Sequence, residues 1–88
     1  MAVVPRKFDL VGVRRTLGLT QSEMAKGMGL SLRTYQELEL NSNKVRRRHV
    51  LLAESVALDV AVKKGNPMLA PASIRKKALK LADIIMNG

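Results

Sequence analysis

The chain has 88 residues, no cysteine, and a formal charge of +9 from sixteen Lys and Arg against seven Asp and Glu. A chain of this length suits one domain with a marginal core, so we expect a second subunit to add stability. The missing cysteines exclude disulfides and thiolate metal sites, and no apolar run approaches the ~20 residues of a membrane span.

The positive charge favours a polyanion as partner, with nucleic acid ahead of an anionic membrane surface. Phe8 and Tyr35 are the only aromatic residues, whereas proteins that read single strands usually stack bases on several aromatic rings. A duplex is therefore the better prediction. The opening residues lack the apolar core of a signal peptide, so we expect a cytoplasmic protein.

Helix signals begin after residues 1–8, which we interpret as a basic arm because Pro5 limits helix formation. Asp9 can cap the first helix, and apolar residues then recur at three- and four-residue spacing over two turns. Gly18 follows, as glycine does just past a helix end. The pattern predicts a first helix over residues 10–17.

Two more short helices are expected directly afterwards. Thr20 and Glu23 have the spacing of a capping box, in which each side chain binds the other residue's backbone N–H. Gly29 ends that helix, and Ser31 starts the next, which we expect to cover residues 32–40. The pattern thus predicts two short helices joined by a tight turn that contains glycine.

The second half of the chain predicts two further helices. A strongly apolar run follows a basic segment, and we interpret residues 46–63 as the fourth helix. A break precedes Pro71, which suits a first helical turn, and residues 64–88 then form a C-terminal extension with a fifth helix. These helices carry more apolar residues than one small domain needs, so we expect them to form a two-fold dimer interface. The residues assigned to that interface are Val56, Val60, Ile74, Leu81 and Ile85.

Two short helices joined by a tight glycine turn are typical of the helix-turn-helix. Residues 9–60 resemble the phage-repressor-like family of Cro/C1-type (XRE) regulators. The matching residues, in order, are Gln21, Ala25, Gly29, Ser31, Tyr35 and Glu39. The chain departs from the family at Tyr35, a larger core residue where Ile or Val is usual, and at Leu40 and Asn41, where Gly is common. The resemblance implies a compact all-α bundle of about five helices, with a lambda-repressor-like DNA-binding domain over residues 9–63.

The resemblance also implies that the third helix lies in the major groove of a duplex and reads bases from its first turns. The base-reading residues matched by position are Ser31, Leu32, Arg33, Gln36 and Glu37. Their chemistry agrees independently of the family. Arginine can bind O6 and N7 of guanine, glutamine can pair with the adenine edge, and leucine can meet a thymine methyl.

A second group is expected to contact phosphates, which position a protein without reading sequence. The N-terminus of the second helix favours an anion, and in the family the loop after the third helix runs beside the DNA backbone. The residues expected at phosphates are Gln21, Ser22, Thr34, Asn41, Asn43, Lys44, Arg46 and Arg47. The family also often pairs an arginine of the first helix with a glutamate near the end of the third, which implies a structural pair of Arg14 and Glu39.

These residues also have plainer interpretations. Arg33 could be an ordinary solvated arginine, and the basic run before the fourth helix an ordinary charged helix start. His49 stands alone, and the sequence holds no Ser-His-Asp set, phosphate-cradling glycine loop or metal-ligand cluster. We therefore expect no enzyme activity, no metal, no cofactor and no small-molecule ligand.

The resulting hypothesis is a transcriptional repressor, encoded by a bacterium or a phage, that binds an inverted-repeat operator as a homodimer. Two alternatives stay open. The protein could be the antitoxin of a toxin–antitoxin pair. Such an antitoxin would repress its own operon and would bind a toxin with residues 66–88. The protein could also be an adaptor whose helix-turn-helix contacts protein. A toxin or an antirepressor is thus a further candidate partner besides duplex DNA.

Overall fold

The computed structural model describes residues 8–87, and these residues form an all-helical structure without strands. The α-helices are α1 (Leu10–Leu17), α2 (Gln21–Met28), α3 (Leu32–Leu40), α4 (Arg47–Lys64) and α5 (Ala72–Asn87), with 3-10 turns at Ser42–Lys44 and Pro67–Leu69. The predicted all-α fold of five helices is confirmed. Most of the predicted arm lies outside the described residues, as does residue 88. None of the described helices is both long and apolar enough to cross a bilayer.

The first three helices are short because their start and stop signals lie close together. Each begins at a polar side chain that accepts a hydrogen bond from the first turn, at Asp9, Thr20 and Ser31. The first two end at glycines with φ of 72° and 73°, Gly18 and Gly29, a conformation that costs glycine little. Local chemistry alone therefore fixes the bounds of α1 and α2.

Helices α1 to α4 enclose the core. Its buried residues are Leu10, Leu17, Met24, Ala25, Met28, Tyr35, Leu38, Ala53, Val56 and Ala57, and Phe8 packs against them from the end of the predicted arm. Helices α2 and α4 approach closely at Gly27, where an added Cβ would lie 3.0 Å from Cγ2 of Val56. Glycine at this position therefore lets the two helices pack against each other.

One residue assigned to a dimer interface belongs to this core instead, and a second packs against the core. Val56 is 6 % exposed and lies within the core, so its assignment to the interface is wrong. Val60 is half-buried and packs against the same core. The apolar residues of α4 point in several directions, which is why the sequence does not show which of them face inwards.

Helix α5 differs from the others because none of its residues is buried. The 3-10 turn before it packs on α4, and Ala70 is buried there. Ile74 is half-buried, whereas Leu81 is 58 % and Ile85 is 74 % exposed. An apolar groove of about 390 Å³ separates α4 from α5 and includes Leu58, Val62 and Leu79 in its lining. The chain thus leaves a wide apolar surface on α5 and the adjoining side of α4.

Candidate nucleic-acid interface

Helix α3 presents one mainly polar face to solvent. Three residues join it to α2, and Tyr35 and Leu38 hold its opposite face in the core. The candidate base-reading side chains that lie exposed along α3 are Leu32, Arg33, Gln36 and Glu37. They recur at three- and four-residue spacing, so they share one side of the helix. The structure therefore brings these four candidates together on an accessible surface.

Ser31 and Thr34 form the start of this helix. The Ser31 hydroxyl accepts from the backbone N–H of Thr34 at 3.2 Å and donates to the Thr34 hydroxyl at 3.0 Å. Both side chains are exposed. The hydroxyl of Ser31 is engaged as a helix cap, a role that the sequence predicts, in addition to its candidate role at bases.

A small charged group occupies the middle of the exposed face. The Glu37 carboxylate lies 3.8 Å from Nε of Arg33 and 3.7 Å from Nζ of Lys44. The Arg33 side chain is 92 % exposed, and exposed pairs of this kind contribute little to stability. Both cations can therefore leave Glu37 for a stronger anion at small cost.

The end of α3 is tied to the scaffold by four side chains, Arg14, Gln21, Tyr35 and Glu39, which we call the Glu39 cluster. Oε2 of Glu39 accepts from Nε of Arg14 at 2.6 Å and from the Tyr35 hydroxyl at 2.5 Å. Its Oε1 accepts from Nε2 of Gln21 at 2.7 Å and from Nη2 of Arg14 at 3.3 Å. The Arg14–Glu39 pair expected from the sequence is present, and the cluster joins α1, α2 and α3.

The Glu39 cluster keeps its carboxylate charged although only 7 % of the side chain is exposed. Burial by itself would raise the pKa of Glu39, but hydrogen bonds from Arg14, Tyr35 and Gln21 outweigh it and lower that pKa. Burial, and then the neighbouring Glu39, raise the pKa of Tyr35. At neutral pH the cluster therefore holds an ionised carboxylate and a protonated tyrosine, which donates to it.

Gln21 and Gln36 extend this cluster towards the surface, which spacing alone does not reveal. Nε2 of Gln36 donates to Oε1 of Gln21 at 3.1 Å. The amide of Gln21, expected at a phosphate, thus contacts Glu39 on one side and Gln36 on the other. The sequence holds one indication that Gln36 lies near this cluster. Gln36 and Glu39 are three residues apart, so they share a face of α3.

Most of the remaining phosphate candidates lie along one edge of the molecule. Asn41 caps the 3-10 turn that follows α3, Asn43 and Lys44 lie within that turn, and Arg46 and Arg47 begin α4. All five side chains are exposed, as is Ser22 in the first turn of α2. Arg48, which the sequence interpretation omitted, is exposed in the same first turn of α4. This edge, residues 41–48, is called the basic edge below.

His49 anchors the basic edge to the core. The histidine is 7 % exposed, and its Nδ1 accepts from the backbone N–H of Arg46 at 2.8 Å. It therefore caps α4 from the third position of the helix, in the way that Glu or Gln does in a capping box. Burial, together with the positive charges of Arg48 and Arg46, lowers the pKa of His49.

The cap at His49 predicts that the protein loses stability in mild acid. Because the pKa is lowered in the folded state, the unfolded chain binds a proton first, and stability falls as pH drops below about 6.5. Protonation also removes the Nδ1 acceptor. We expect a lower melting temperature at pH 5.5 than at pH 7.5, measured by circular dichroism. His49→Gln, which keeps an acceptor but does not titrate, should show no such change, and equal pH dependence in both proteins would contradict this prediction.

No family model matches this sequence, and searches of curated proteins and of solved structures find no significant match. The functional interpretation therefore depends on the residues and contacts described above.

Proposed function

We propose that this protein is a sequence-specific regulator of transcription that binds duplex DNA, with α2 and α3 as its helix-turn-helix. The observation that carries the proposal is the exposed face of α3, which presents Arg33, Gln36 and Glu37 on a helix held at its other side by the Glu39 cluster. Base readout requires such a rigid mounting, because side chains must meet base edges in fixed register. Helix α3 is the proposed recognition helix.

Electrostatics support the same proposal. The basic edge continues directly from the end of α3, so phosphates beside the groove would meet Lys44, Arg46 and Arg47 while α3 meets the bases. Cations at a helix N-terminus oppose the helix dipole, and the first turn of α4 contains no acidic residue. A phosphate at this position would relieve that unfavourable arrangement.

The regulator is proposed to act as a homodimer. Two copies related by a two-fold axis place their recognition helices in successive major grooves of an inverted repeat. The apolar surface left open on α5 is the proposed contact between the copies, with Leu81 and Ile85 at its exposed end and Ile74 at its half-buried start. Occupying the operator would then block polymerase, which is repression by occlusion.

Selection of bound duplexes from a random pool tests this function directly. At about 0.15 M salt, weak phosphate-only binding is reduced, so retained duplexes report base readout. We expect a palindrome whose half-sites lie about 10–11 base pairs apart. Recovery of duplexes without any shared motif would contradict the proposal and would direct attention to a protein partner.

Arg33 and Arg47 form a matched pair of arginines for testing the two kinds of contact. Arg33→Ala should lose about 1–3 kcal/mol of binding free energy on the selected operator and relax the preference at one base position. Arg47→Ala should weaken all duplexes alike and reduce the salt slope by about one unit. Fluorescence anisotropy at several salt concentrations measures both effects. An equal loss on every sequence for Arg33→Ala would make Arg33 a phosphate contact.

The same apolar surface on α5 favours a second candidate, the antitoxin of a toxin–antitoxin pair. In that case a toxin, and not a second copy, would cover α5, while α3 would still bind the operator. Sedimentation distinguishes the two candidates. A monomer at ~100 micromolar, well above the dissociation constant of a functional dimer, would favour the antitoxin.

A further inference from the structure

The hydrogen bonds that run from Glu39 to the surface of α3 have a fixed direction. The ionised carboxylate of Glu39 carries no proton and can only accept hydrogen bonds. Gln21 must therefore turn its NH₂ group towards Glu39, which it contacts at 2.7 Å, and its carbonyl Oε1 towards Gln36. Gln36 in turn must direct its NH₂ group to that oxygen, at 3.1 Å.

We propose that Glu39 and Gln21 set the base preference of Gln36 by fixing the orientation of its amide. Held in this way, Gln36 offers solvent its Oε1 and one remaining N–H, and no group in residues 8–87 donates to that oxygen. This inference deepens the proposed function and rests on it. Gln21 becomes a positioning residue, which acts on DNA through Gln36 and does not read a base itself.

The buried Glu39 end of this series of hydrogen bonds keeps their direction from reversing. Arg14 and Tyr35 donate three further hydrogen bonds to the Glu39 carboxylate, and the resulting lowered pKa keeps it ionised. A glutamine without such an anchor can rotate its amide by half a turn and exchange acceptor for donor. If the amide of Gln21 turned round, its NH₂ group would have no acceptor. If the amide of Gln36 turned round, its carbonyl oxygen would face the carbonyl oxygen of Gln21. One orientation of both amides is therefore selected.

The selected orientation favours adenine. In the major groove adenine presents an N6 amino donor beside the N7 acceptor, which match the Oε1 and the remaining N–H of Gln36. Cytosine offers only its N4 donor, so it is the weaker second choice. Guanine and the O4 of thymine present acceptors, which would suit the opposite orientation. The hydrogen bonds from Gln36 through Gln21 to Glu39, which we call the relay, thus convert a buried negative charge into a preference for a base that carries an amino group.

Selection from a random duplex pool, repeated with variants, tests this relay. Gln36→Ala identifies the operator position that residue 36 reads, where the wild type should prefer adenine by roughly 5- to 150-fold. Gln21→Met keeps the length of the side chain but breaks the relay. It should abolish most of that preference while the rest of the motif is unchanged. Lys26→Met, which places the same side chain at another exposed position of α2, is the matched control and should keep the preference.

A second variant reverses the relay. Lysine is a donor only, so in Gln21→Lys it can still donate to Glu39, while its other N–H groups turn the amide of Gln36 round. The preference at the mapped position should then shift from adenine to guanine or thymine. Because this variant keeps α2 anchored to Glu39, it also covers the case in which Gln21→Met fails to fold.

The outcomes separate this inference from the proposed function. If Gln21→Met and Gln21→Lys change affinity for all duplexes alike and leave the motif intact, Gln21 is a phosphate contact and the relay is overturned. The proposed function survives that result. If the wild type selects no motif at all, the relay and the proposed function are both contradicted. A preference that disappears in Gln21→Met and changes to guanine or thymine in Gln21→Lys supports the relay.

Discussion

Arg14→Ala is expected to lower the free energy of unfolding by about 2–4 kcal/mol, because it removes the main partner of a buried carboxylate. Glu39 would keep only the donors of Gln21 and Tyr35, and its negative charge would remain in a site that is 7 % exposed. Arg14 also donates to the carbonyl oxygen of Leu19 at 3.1 Å, so the connection between α1 and α2 loses a hydrogen bond as well.

The effect of Arg14→Ala should be visible as a fall in melting temperature of roughly 10–25 °C for a domain of this size. Arg15→Ala is the matched control, since Arg15 is the next residue of α1 and is exposed. It should melt close to the wild type. Arg14→Lys should lie between the two, because lysine keeps the charge but cannot form the two-point contact of a guanidinium. If Arg14→Ala melts like Arg15→Ala, the Glu39 cluster does not hold the fold together.

The bounds of the first helices follow from the sequence because their signals are local. Thr20 and Ser31 accept hydrogen bonds within their own first turns, and Gly18 and Gly29 adopt the left-handed backbone that ends a helix. Such signals need no information about distant residues. The same holds for the exposed face of α3, which helical spacing places opposite Tyr35 and Leu38.

Contacts between distant segments could not be predicted in this way. Val56 was assigned to a dimer interface because α4 is apolar on several sides, and only the close approach of α2 at Gly27 shows that this side faces the core. Gln21 and Gln36 are fifteen residues apart, and their contact depends on how α2 and α3 pack. The cap at His49 is local, three residues from Arg46, but it uses histidine where a capping box usually has Glu or Gln, so the usual sequence pattern does not reveal it. The Arg14–Glu39 pair was expected only because of the family resemblance.

Through the relay, the Glu39 cluster links the stability of the fold to the proposed base preference. The Glu39 carboxylate, which holds α3 against α1 and α2, also fixes the orientation of the side-chain amides of Gln21 and Gln36. Stability and base preference should therefore respond together to changes at Glu39, but separately to changes at Gln36, which is exposed. Gln36→Ala should accordingly alter the operator preference with little change in melting temperature.

Ile85→Asp is expected to abolish dimerisation and to lower affinity for a two-half-site operator by about 10²–10⁴-fold, because the second half-site then binds without a tether. Ile85 is 74 % exposed in the single chain, so the substitution should leave the fold of the monomer intact. A carboxylate placed in an apolar contact between two copies would be buried without a partner, which is strongly unfavourable. Binding to a single half-site should be unchanged.

Ser73→Asp provides the matched control for this prediction. It introduces the same charge at an exposed position of the same helix, but about 120° round the helix from Ile85. Sedimentation equilibrium and anisotropy with full and half operators measure dimerisation and binding for both variants. Equal losses in the two would mean that added negative charge, and not loss of the apolar contact, weakens binding to DNA. A dimer that persists in Ile85→Asp would show that a second copy does not cover α5, and a different protein would then be the partner to seek for this helix.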